Sequence, residues 1–241
     1  MSTLTHNIKL ELLQIKRDPM LPWMILFPVV LALLARIVLP GLQIWSMQNH
    51  QYDLMQFAQL GQSILVLTAP LVIGLVIGFL LLDQKDENSL IAIALTPASL
   101  TGYLLKKMVG PLLMAIPITL LSLWISQLVP FNFMRDLLVT VISLLLAPCF
   151  GLFLAVLASN KVQGLALSKI SGLFLIPPIL GWIYQDGLGW LNGFMPTYWP
   201  CFVFWNFESG LSYGLIGGLI VAIVYPVFII MAFLKVFMKL K

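Results

Sequence analysis

The sequence of 241 residues is too apolar and too sparsely charged for a soluble globular protein. Hydrophobic residues make up 61% of it and charged residues 9%, whereas soluble domains average about 25% charged residues. A transmembrane helix needs about 20 apolar residues, so the length accommodates six spans and excludes a second soluble domain. The net charge is +4, but the basic residues flank apolar segments. We therefore expect contact with anionic membrane lipids and no nucleic-acid binding.

The N-terminal residues 1–19 predict an amphipathic helix that lies in the membrane interface. Apolar residues recur there at helical spacing, at Leu4, Ile8, Leu12 and Ile15. Charged residues occupy the other side, and Pro19 ends the helix. A frayed tail is the alternative. The pattern of a removable signal peptide is missing, so we expect none.

Six apolar segments are predicted to span the membrane as helices. Their bounds are residues 21–45, 60–82, 103–128, 133–158, 169–184 and 213–237. If both termini are cytoplasmic, that side holds eleven of the 13 basic residues, namely Lys9, Lys16, Arg17, Lys85, Lys106, Lys107, Lys161, Lys169, Lys235, Lys239 and Lys241. Only Arg36 and Arg135 remain for the outer half. This bias favours an even number of spans and cytoplasmic termini.

The most polar stretch, residues 83–102, faces the cytoplasm in this topology and predicts a short docking helix. Asn88 or Ser89 caps its start, and Pro97 prevents its continuation. Acidic residues before the cap suit the positive helix end. A solvated loop, the alternative, would not need the apolar side chains of this stretch. The candidate docking residues are Asp86, Glu87, Asn88, Ser89, Leu90, Ile91, Leu95, Thr96 and Pro97.

The fifth apolar segment and the residues after it depart from a simple helical span. The segment has about 16 residues, which at 1.5 Å each fall short of the ~30 Å hydrocarbon core. Residues 185–212 are rich in Gly, Pro and aromatic residues, yet apolar enough for the outer leaflet. Irregular backbone is tolerated at membrane depth only where protein or a cavity satisfies it. We predict re-entrant half-helices over the outer mouth of the bundle; an aromatic interface belt is the alternative.

Catalytic and metal-binding patterns are missing from the sequence. His6 and His50 fall on opposite sides of the membrane, and the serine-hydrolase, zinc-protease and phosphate-loop motifs are absent. Cys149 and Cys201 are expected at different depths, without a disulfide. All nine acids fall at span ends or in loops, so an ion-coupled carrier is disfavoured. We expect no catalytic site, metal or cofactor on this chain, and any energy source on a partner.

Several residues within the spans are candidates for a translocation pathway. They are Arg36, Ser63, Thr68, Pro70, Thr119 and Ser122. Arg36 either contacts an anionic substrate or a neighbouring subunit, or extends to the outer interface. The hydroxyl groups either line a pathway or form hydrogen bonds between helices. The small residues of Gly74-x-x-x-Gly78 predict close packing of two helices.

This order of elements resembles the permease subunits of bacterial type-2 ABC exporters. Residues 83–106 resemble that family's coupling loop, with acids, a short helix, the Leu95-Thr96-Pro97-x-Ser99 sequence and a lysine. Asn88-Ser89 replaces the family's usual Gly-Ser or Gly-Thr pair. Residues 160–169 and 196–200 resemble permeases assigned to drug or fluoroquinolone export.

The resemblance implies a permease subunit without its own ATP site in a bacterial inner membrane. It implies a second permease, identical or homologous, and two ATPase subunits that hold ATP and Mg. The helix at residues 88–96 would lie in a groove of the ATPase, and spans two and five would border the translocation route. A hydrophobic or amphipathic small molecule or peptide would be the substrate.

Other functions are compatible with the same residues. A haem-exporter-type or lipid-linked glycan permease has a similar architecture. A non-transporting membrane scaffold would need the bundle but not the docking helix. A membrane enzyme is disfavoured by the lack of clustered catalytic groups.

Overall fold

The computed structural model describes residues 18, 20–87, 100–184, 189–210 and 212–239, where all regular structure is helical. Six helical segments are long and apolar enough to cross a membrane, which confirms the predicted all-α class with six spans. The predicted interfacial helix, apart from Asp18, and the predicted docking helix at residues 88–96 lie outside the described residues.

Nine α-helices form the described part of the bundle. They are α1 (Leu21–His50), α2 (Ala58–Asp86), α3 (Leu100–Ser126), α4 (Phe133–Ser143), α5 (Leu146–Leu157), α6 (Lys161–Ser168), α7 (Ile176–Ile183), α8 (Tyr198–Asn206) and α9 (Tyr213–Lys239). Short 3-10 helices occur at Leu54–Phe57, Lys169–Leu175, Gly189–Phe194 and Phe207–Ser209. The spans in chain order are α1, α2, α3, α4 with α5, α6 with α7, and α9.

The second span, α2, lies at the centre of the bundle. In its most apolar window 89% of the residues are buried, against 17% in that of α1. Every residue of 65–82 except Leu75 is buried, and α2 contacts α1, α3, α5 and α8. An apolar segment without a polar face suits this position. The surrounding spans expose apolar side chains outward, as in a protein that contacts lipid.

The small residues of α2 allow its backbone to approach α5 closely. A Cβ atom added at Gly74 would lie 2.8 Å from the Ala147 carbonyl oxygen and 2.9 Å from Phe150 Cβ. One added at Gly78 would lie 3.1 Å from Leu154 Cβ, and one at Gly151 would lie 2.9 Å from the Gly74 carbonyl oxygen. The predicted close packing at the glycine stripe is confirmed, and its partner is α5.

The fourth span is interrupted between α4 and α5 by a proline. Pro148 has no amide hydrogen, so the Leu144 carbonyl lacks its usual donor four residues ahead. The Ala147 amide instead donates to Leu144 O at 3.1 Å, and the Leu145 amide donates to Ile142 O at 3.4 Å. These tighter bonds produce a local change of helix type without ending the span.

The fifth span is longer than predicted. It runs through Lys161–Ile183 and has 23 residues, whereas residues 169–184 were expected. The Asn160 side chain accepts a hydrogen bond from the Gln163 amide at 2.9 Å and caps α6. The prediction failed because α6 is less apolar than the rest of the span. Pro177 and Pro178 follow the 3-10 helix and deprive two preceding carbonyls of donors, which explains the tightened helix.

Other span ends also differ from the prediction. The first span continues to His50 rather than residue 45, and ends where Gln51 adopts a left-handed φ of 52°. The second continues to Asp86 rather than residue 82, and the Glu87 amide donates to Asp83 O at 3.0 Å. Residues 83–86 therefore form the last turn of α2, not a loop. A span predicted from apolar length ends at the first polar residue, whereas the helical hydrogen bonds continue beyond that residue.

The connection between the fifth and sixth spans re-enters the bundle, as predicted. Its helix α8 contacts α2, α4, α7 and α9. Cys201 of α8 is fully buried, and its thiol donates to the Ser63 carbonyl oxygen at 3.6 Å. Thr197, directly before α8, shares a cavity with Leu71 and Tyr225, which lie near the middle of α2 and α9. The connection thus reaches the central depth of the bundle.

We expect Gly74→Ala to destabilise the bundle, since the added methyl group would meet backbone of α5. Overpacking of this kind costs about 1–3 kcal/mol, so the purified protein should unfold several degrees below wild type in a thermal melt. Gly41→Ala is the matched control, because nothing lies within 4 Å of a Cβ there and alanine favours the helix. Equal melting temperatures for the two variants would contradict the close packing.

Candidate functional site

Lysines gather at the end of the bundle where α2 and α9 end and α3 and α6 begin. The described members of this lysine-rich end are Lys85, Lys106, Lys107, Lys161, Lys235 and Lys239. Thr101 at the start of α3 donates to the Met238 sulfur near the end of α9 at 3.1 Å. The Gln84 side chain of α2 donates to the Tyr103 hydroxyl of α3. Side-chain contacts therefore join three of these helix ends.

Lys161 joins the start of the first, the end of the second and the start of the fifth span. Its Nζ atom lies 2.8 Å from Asp18 Oδ2 and 2.9 Å from Asp83 Oδ1. Its backbone amide donates to Asp86 Oδ2 at 3.0 Å. A single residue thus fixes two acidic residues of α2 relative to α6.

A second lysine of this end caps the fourth span. Lys85 Nζ donates to the Ala158 carbonyl oxygen at 2.8 Å and to the Ala155 carbonyl oxygen at 3.3 Å. A cation at the C-terminal end of a helix satisfies free carbonyls and complements the helix dipole. The end of α2 is therefore tied to α5 as well as to α6.

Asp18 is held in its ionised form within this network. Burial alone would raise its pKa, but hydrogen bonds from Lys161 Nζ and the Met20 amide outweigh that effect, and the pKa lies below the ordinary 3.8. A lowered pKa means that the ionised Asp18 stabilises the folded state fully above about pH 3.8. That contribution disappears only as the pH falls through the lowered pKa, so the network is intact at neutral pH.

Two of the predicted docking residues lie in the described part of the chain. Asp86 is the last residue of α2, and its carboxylate accepts the Lys161 amide. Glu87 follows it and is exposed. The other predicted docking residues lie outside the described residues; they are Asn88, Ser89, Leu90, Ile91, Leu95, Thr96 and Pro97.

The predicted pathway hydroxyls are buried and bonded to their own helices. Ser63 donates to Leu60 O, and Thr68 donates to Ile64 O, both at 2.8 Å. The other two acceptors, also at 2.8 Å, are Ala115 O for Thr119 and Ile118 O for Ser122. Pro70 is buried within α2. The structure therefore does not bring these side chains together around a common polar channel in the described part of the chain.

Arg36 lies apart from those hydroxyls, on the outer surface of the bundle. It is exposed, and its Nη1 atom donates to the Ile125 carbonyl oxygen at 3.3 Å. Ile125 is the penultimate residue of α3, where helix carbonyls have no intrahelical partner. In this structure the guanidinium group joins the first span to the end of the third.

The opposite end of the bundle, where α4 begins and α8 ends, holds an ion cluster in which Arg135 and Asp136 are buried and Glu208 is exposed. Arg135 is 2% exposed, and its Nε atom lies 2.9 Å from Asp136 Oδ1. Nη1 lies 3.1 Å from Glu208 Oε1, and Nη2 donates to Pro130 O at 2.8 Å. The guanidinium carbon lies 4.6 Å from the centre of the Phe204 ring. Arg135 thus anchors the re-entrant segment to the fourth span.

Two cavities flank α8. One, the central cavity, has a volume of about 270 Å³ and lies between α2, α5, α9 and residues 194–197. The other has about 420 Å³ and lies toward the opposite end, with Gln59, Trp182, Tyr198 and Trp205 in its wall. The Trp205 Nε1 atom is buried there without a hydrogen-bond partner. None of the predicted pathway hydroxyls lines either cavity.

Three features of this arrangement were not predicted from the sequence. Asn160 before Lys161 is an N-cap signal that could have placed the lysine at a helix start. Asn132 likewise caps α4 through the Met134 and Arg135 amides, so this ion cluster also had a local signal. The central cavity had no local sequence signal, because it forms only where four spans and the re-entrant segment pack together.

We expect Lys161→Met to destabilise the protein, since Asp18 and Asp83 would then lie together without their shared cation. For a partly exposed ion pair the loss is about 1 kcal/mol, and removing both contacts should lower the melting temperature by a few degrees. Lys235→Met is the control, because Lys235 is exposed on α9. A melting temperature no lower than that of the control would argue against the network.

Arg135→Met should destabilise the protein more strongly, because it leaves Asp136 fully buried without its cation. Removing one partner of a buried ion pair costs about 3–5 kcal/mol. The double variant Arg135→Met with Asp136→Asn removes the uncompensated charge and should recover part of the loss in thermal melts. If the single variant melted like wild type, the cluster would have no stabilising role.

Comparisons with known proteins place the chain in a family. The sequence profile of the family described as "Fluoroquinolones export permease protein Rv2686c-like" matches residues 11–234. Two curated relatives are the fluoroquinolones export permease proteins MT2760 and Rv2686c from two strains of Mycobacterium tuberculosis. Each is 28% identical over 200 residues, which cover 78% of this chain and 76% of the relative. No solved structure matches the chain. This multi-pass membrane protein belongs to the Rv2686c-like family of fluoroquinolone export permeases.

Proposed function

We propose that this chain is the permease subunit of an ATP-driven ABC exporter in a bacterial cell membrane. Its substrates are hydrophobic or amphipathic small molecules of the fluoroquinolone kind. The observation that carries the proposal is the family match across residues 11–234, on a bundle with six segments able to span a membrane.

In this proposal the lysine-rich end faces the cytoplasm. The opposite half of the bundle holds Arg36 and Arg135, and the described lysines lie at the lysine-rich end or its border. Lys and Arg accumulate on the cytoplasmic side of membrane proteins. Both chain termini are then cytoplasmic, since six spans separate them.

The ATPase would act on the segment between Glu87 and Leu100. That segment connects the end of α2 with the start of α3 in the sequence. The end of α2 is tied to neighbouring helices by the bonds to Lys161 and by those from Lys85. A displacement of the segment would therefore move α2 and its neighbours together. Two ATPase subunits would hold the ATP and Mg.

A second permease subunit would complete the translocation route. Only 17% of the most apolar window of the fifth span is buried, and 22% of that of the sixth. The exposed faces of these two spans leave room for lipid and for an identical or homologous subunit. The hydroxyls within the protomer bond to their own helices, which favours an apolar route along the protomer surface. Such a route suits hydrophobic substrates.

Glu87→Arg tests the coupling. Glu87 is exposed at the start of the proposed docking segment, so the variant should fold and insert normally while reversing a charge at the ATPase contact. We expect fluoroquinolone-stimulated ATP hydrolysis by the reconstituted complex to fall about fivefold or more, which corresponds to ~1 kcal/mol of coupling. The measurement is the rate of phosphate release with and without the drug.

Asn49→Arg is the control for this experiment, because it introduces the same side chain at an exposed position of the opposite end. It should leave the stimulation unchanged. Equal stimulation in Glu87→Arg and wild type would refute the role of Glu87. Drug movement without nucleotide would contradict an ATP-driven exporter. Movement of haem or a lipid-linked glycan in place of the drug would assign the chain to a different kind of ABC permease.

A further inference from the structure

We propose that Lys169 binds the carboxylate of the transported molecule on the exposed face of the fifth span, within the depth of the membrane. The exporter then selects amphipathic acids, whose apolar part lies along the span while the carboxylate meets the lysine. The inference rests on the proposed function, because it names the substrate class of that exporter. Binding itself requires neither the ATPase nor nucleotide.

The contacts between the fifth span and α2 fix the level of Lys169 in the bundle. The pairs are Lys161 with Asp83 and Gly164 with Leu82, which are in contact, and Phe174 with Leu71, which line one cavity. The two segments therefore run antiparallel in one register. Lys169 lies between the second and the third pair, level with Leu75 and Val76 of α2.

This level is inside the membrane. Residues 58–82 of α2 contain no charged residue, and Asp83 is the first acid after them. Lys169 follows Lys161, the partner of that acid, by eight positions, which span about 12 Å at the helical rise per residue. That distance exceeds the length of an extended lysine side chain. The longer fifth span thus moves Lys169 from the predicted start of the span into its interior.

Lys169 is an isolated charge on an apolar surface. It is exposed, and among the described residues its ammonium group has no ion pair or hydrogen bond. The other exposed positions of residues 164–183 are apolar residues or glycine, namely Leu165, Ala166, Ile170, Gly172, Leu173, Ile176, Leu180 and Ile183. A lysine at membrane depth is costly among lipid tails, and such residues normally pair with an anion or line a pathway. The face around Lys169 therefore suits an anionic ligand.

The described part of the chain offers no acid at this depth. α2 and α5 pack against the fifth span, and neither residues 58–82 nor Leu146–Leu157 contain one. The described acids lie at span ends or in connections, so a second identical copy brings no acid to this level either. Lipid headgroups lie outside the hydrocarbon core. An anion carried into the membrane by its own apolar body, such as an amphipathic carboxylate, can reach the lysine.

Gly172 leaves space for such a ligand beside the lysine. Lys169 begins the 3-10 helix Lys169–Leu175, in which residues three apart stand above one another. Gly172 therefore adjoins Lys169 on the same face, and nothing lies within 4 Å of a Cβ atom placed there. An aromatic ring can lie against the backbone at Gly172 while its carboxylate contacts the Lys169 Nζ atom. Fluoroquinolones, the substrates of the proposed function, are aromatic carboxylic acids.

The test compares flumequine, a fluoroquinolone with one carboxyl group and no amine, with its uncharged methyl ester. Binding of each compound to the full chain in nanodiscs of zwitterionic lipid is measured by equilibrium dialysis against empty nanodiscs, at slightly alkaline pH, without ATPase or nucleotide. We expect Lys169→Met to weaken flumequine binding about tenfold, through loss of a charge-assisted hydrogen bond. Binding of the ester should not change.

Three further variants control for charge and folding. Lys169→Arg should bind flumequine within about twofold of wild type, because a guanidinium group also bonds a carboxylate. Lys169→Gln keeps hydrogen-bond donors but has no charge, and it should bind as weakly as Lys169→Met. Lys235→Met removes an exposed lysine of the lysine-rich end and should leave both dissociation constants unchanged.

Several results would overturn the proposal. Flumequine binding that is absent in wild type, or equally tight in wild type and Lys169→Met, would remove the contact. An equal loss for acid and ester would assign Lys169 to packing, and an equal loss in Lys235→Met would indicate a general attraction to positive charge. Intact flumequine binding in a Lys169→Met variant that dissociates into single chains would assign the lysine to a subunit contact.

The two proposals can fail separately. Flumequine binding that depends on Lys169, together with drug movement that needs no nucleotide, would keep the site and remove the ATP-driven exporter. ATP-driven export together with flumequine binding that ignores Lys169 would keep the exporter and remove the site.

Discussion

The close packing of α2 against α5 is the contact on which the other features depend. At Gly74, Gly78 and Gly151 the two backbones approach so closely that a single added carbon would meet main-chain or Cβ atoms. In a membrane the hydrophobic effect does not hold helices together, so contacts of this kind supply much of the association. Because α2 is enclosed on all sides, it fixes the positions of the spans around it, and the central cavity forms where α2, α5 and α9 leave space beside the re-entrant segment.

The ion pairs of the described residues lie at the two ends of the bundle, where they hold the helices around the central packing. At the lysine-rich end, Lys161 and Lys85 tie the last turn of α2 to the first, fourth and fifth spans. At the opposite end, Arg135 ties the re-entrant segment to the fourth span. α2 thus runs from the proposed ATPase contact to the wall of the central cavity, where Leu71 lies. A single helix therefore connects the proposed ATPase contact with the central cavity.

Much of the architecture could be predicted from the sequence, because apolar length and residue spacing are strong local signals. The number of spans follows from apolar length, the glycine packing from the Gly74-x-x-x-Gly78 spacing, and the re-entrant connection from the Gly, Pro and aromatic content of residues 185–212. The start of the fifth span could not be predicted, since α6 is short, less apolar and defined by the Asn160 cap. The resemblance of residues 160–169 and 196–200 predicted the family that the profile match confirms. The depth of Lys169 had no local signal, because it follows from the register of the fifth span against α2.

Transport by the assembled complex tests the central claim most directly. Inverted membrane vesicles that contain this chain together with its ATPase should accumulate a radiolabelled fluoroquinolone when ATP is added, and vesicles that contain either component alone should not. Replacing ATP with a non-hydrolysable analogue should abolish the uptake. Equal accumulation with and without ATP, or with and without this chain, would contradict an ATP-driven export permease.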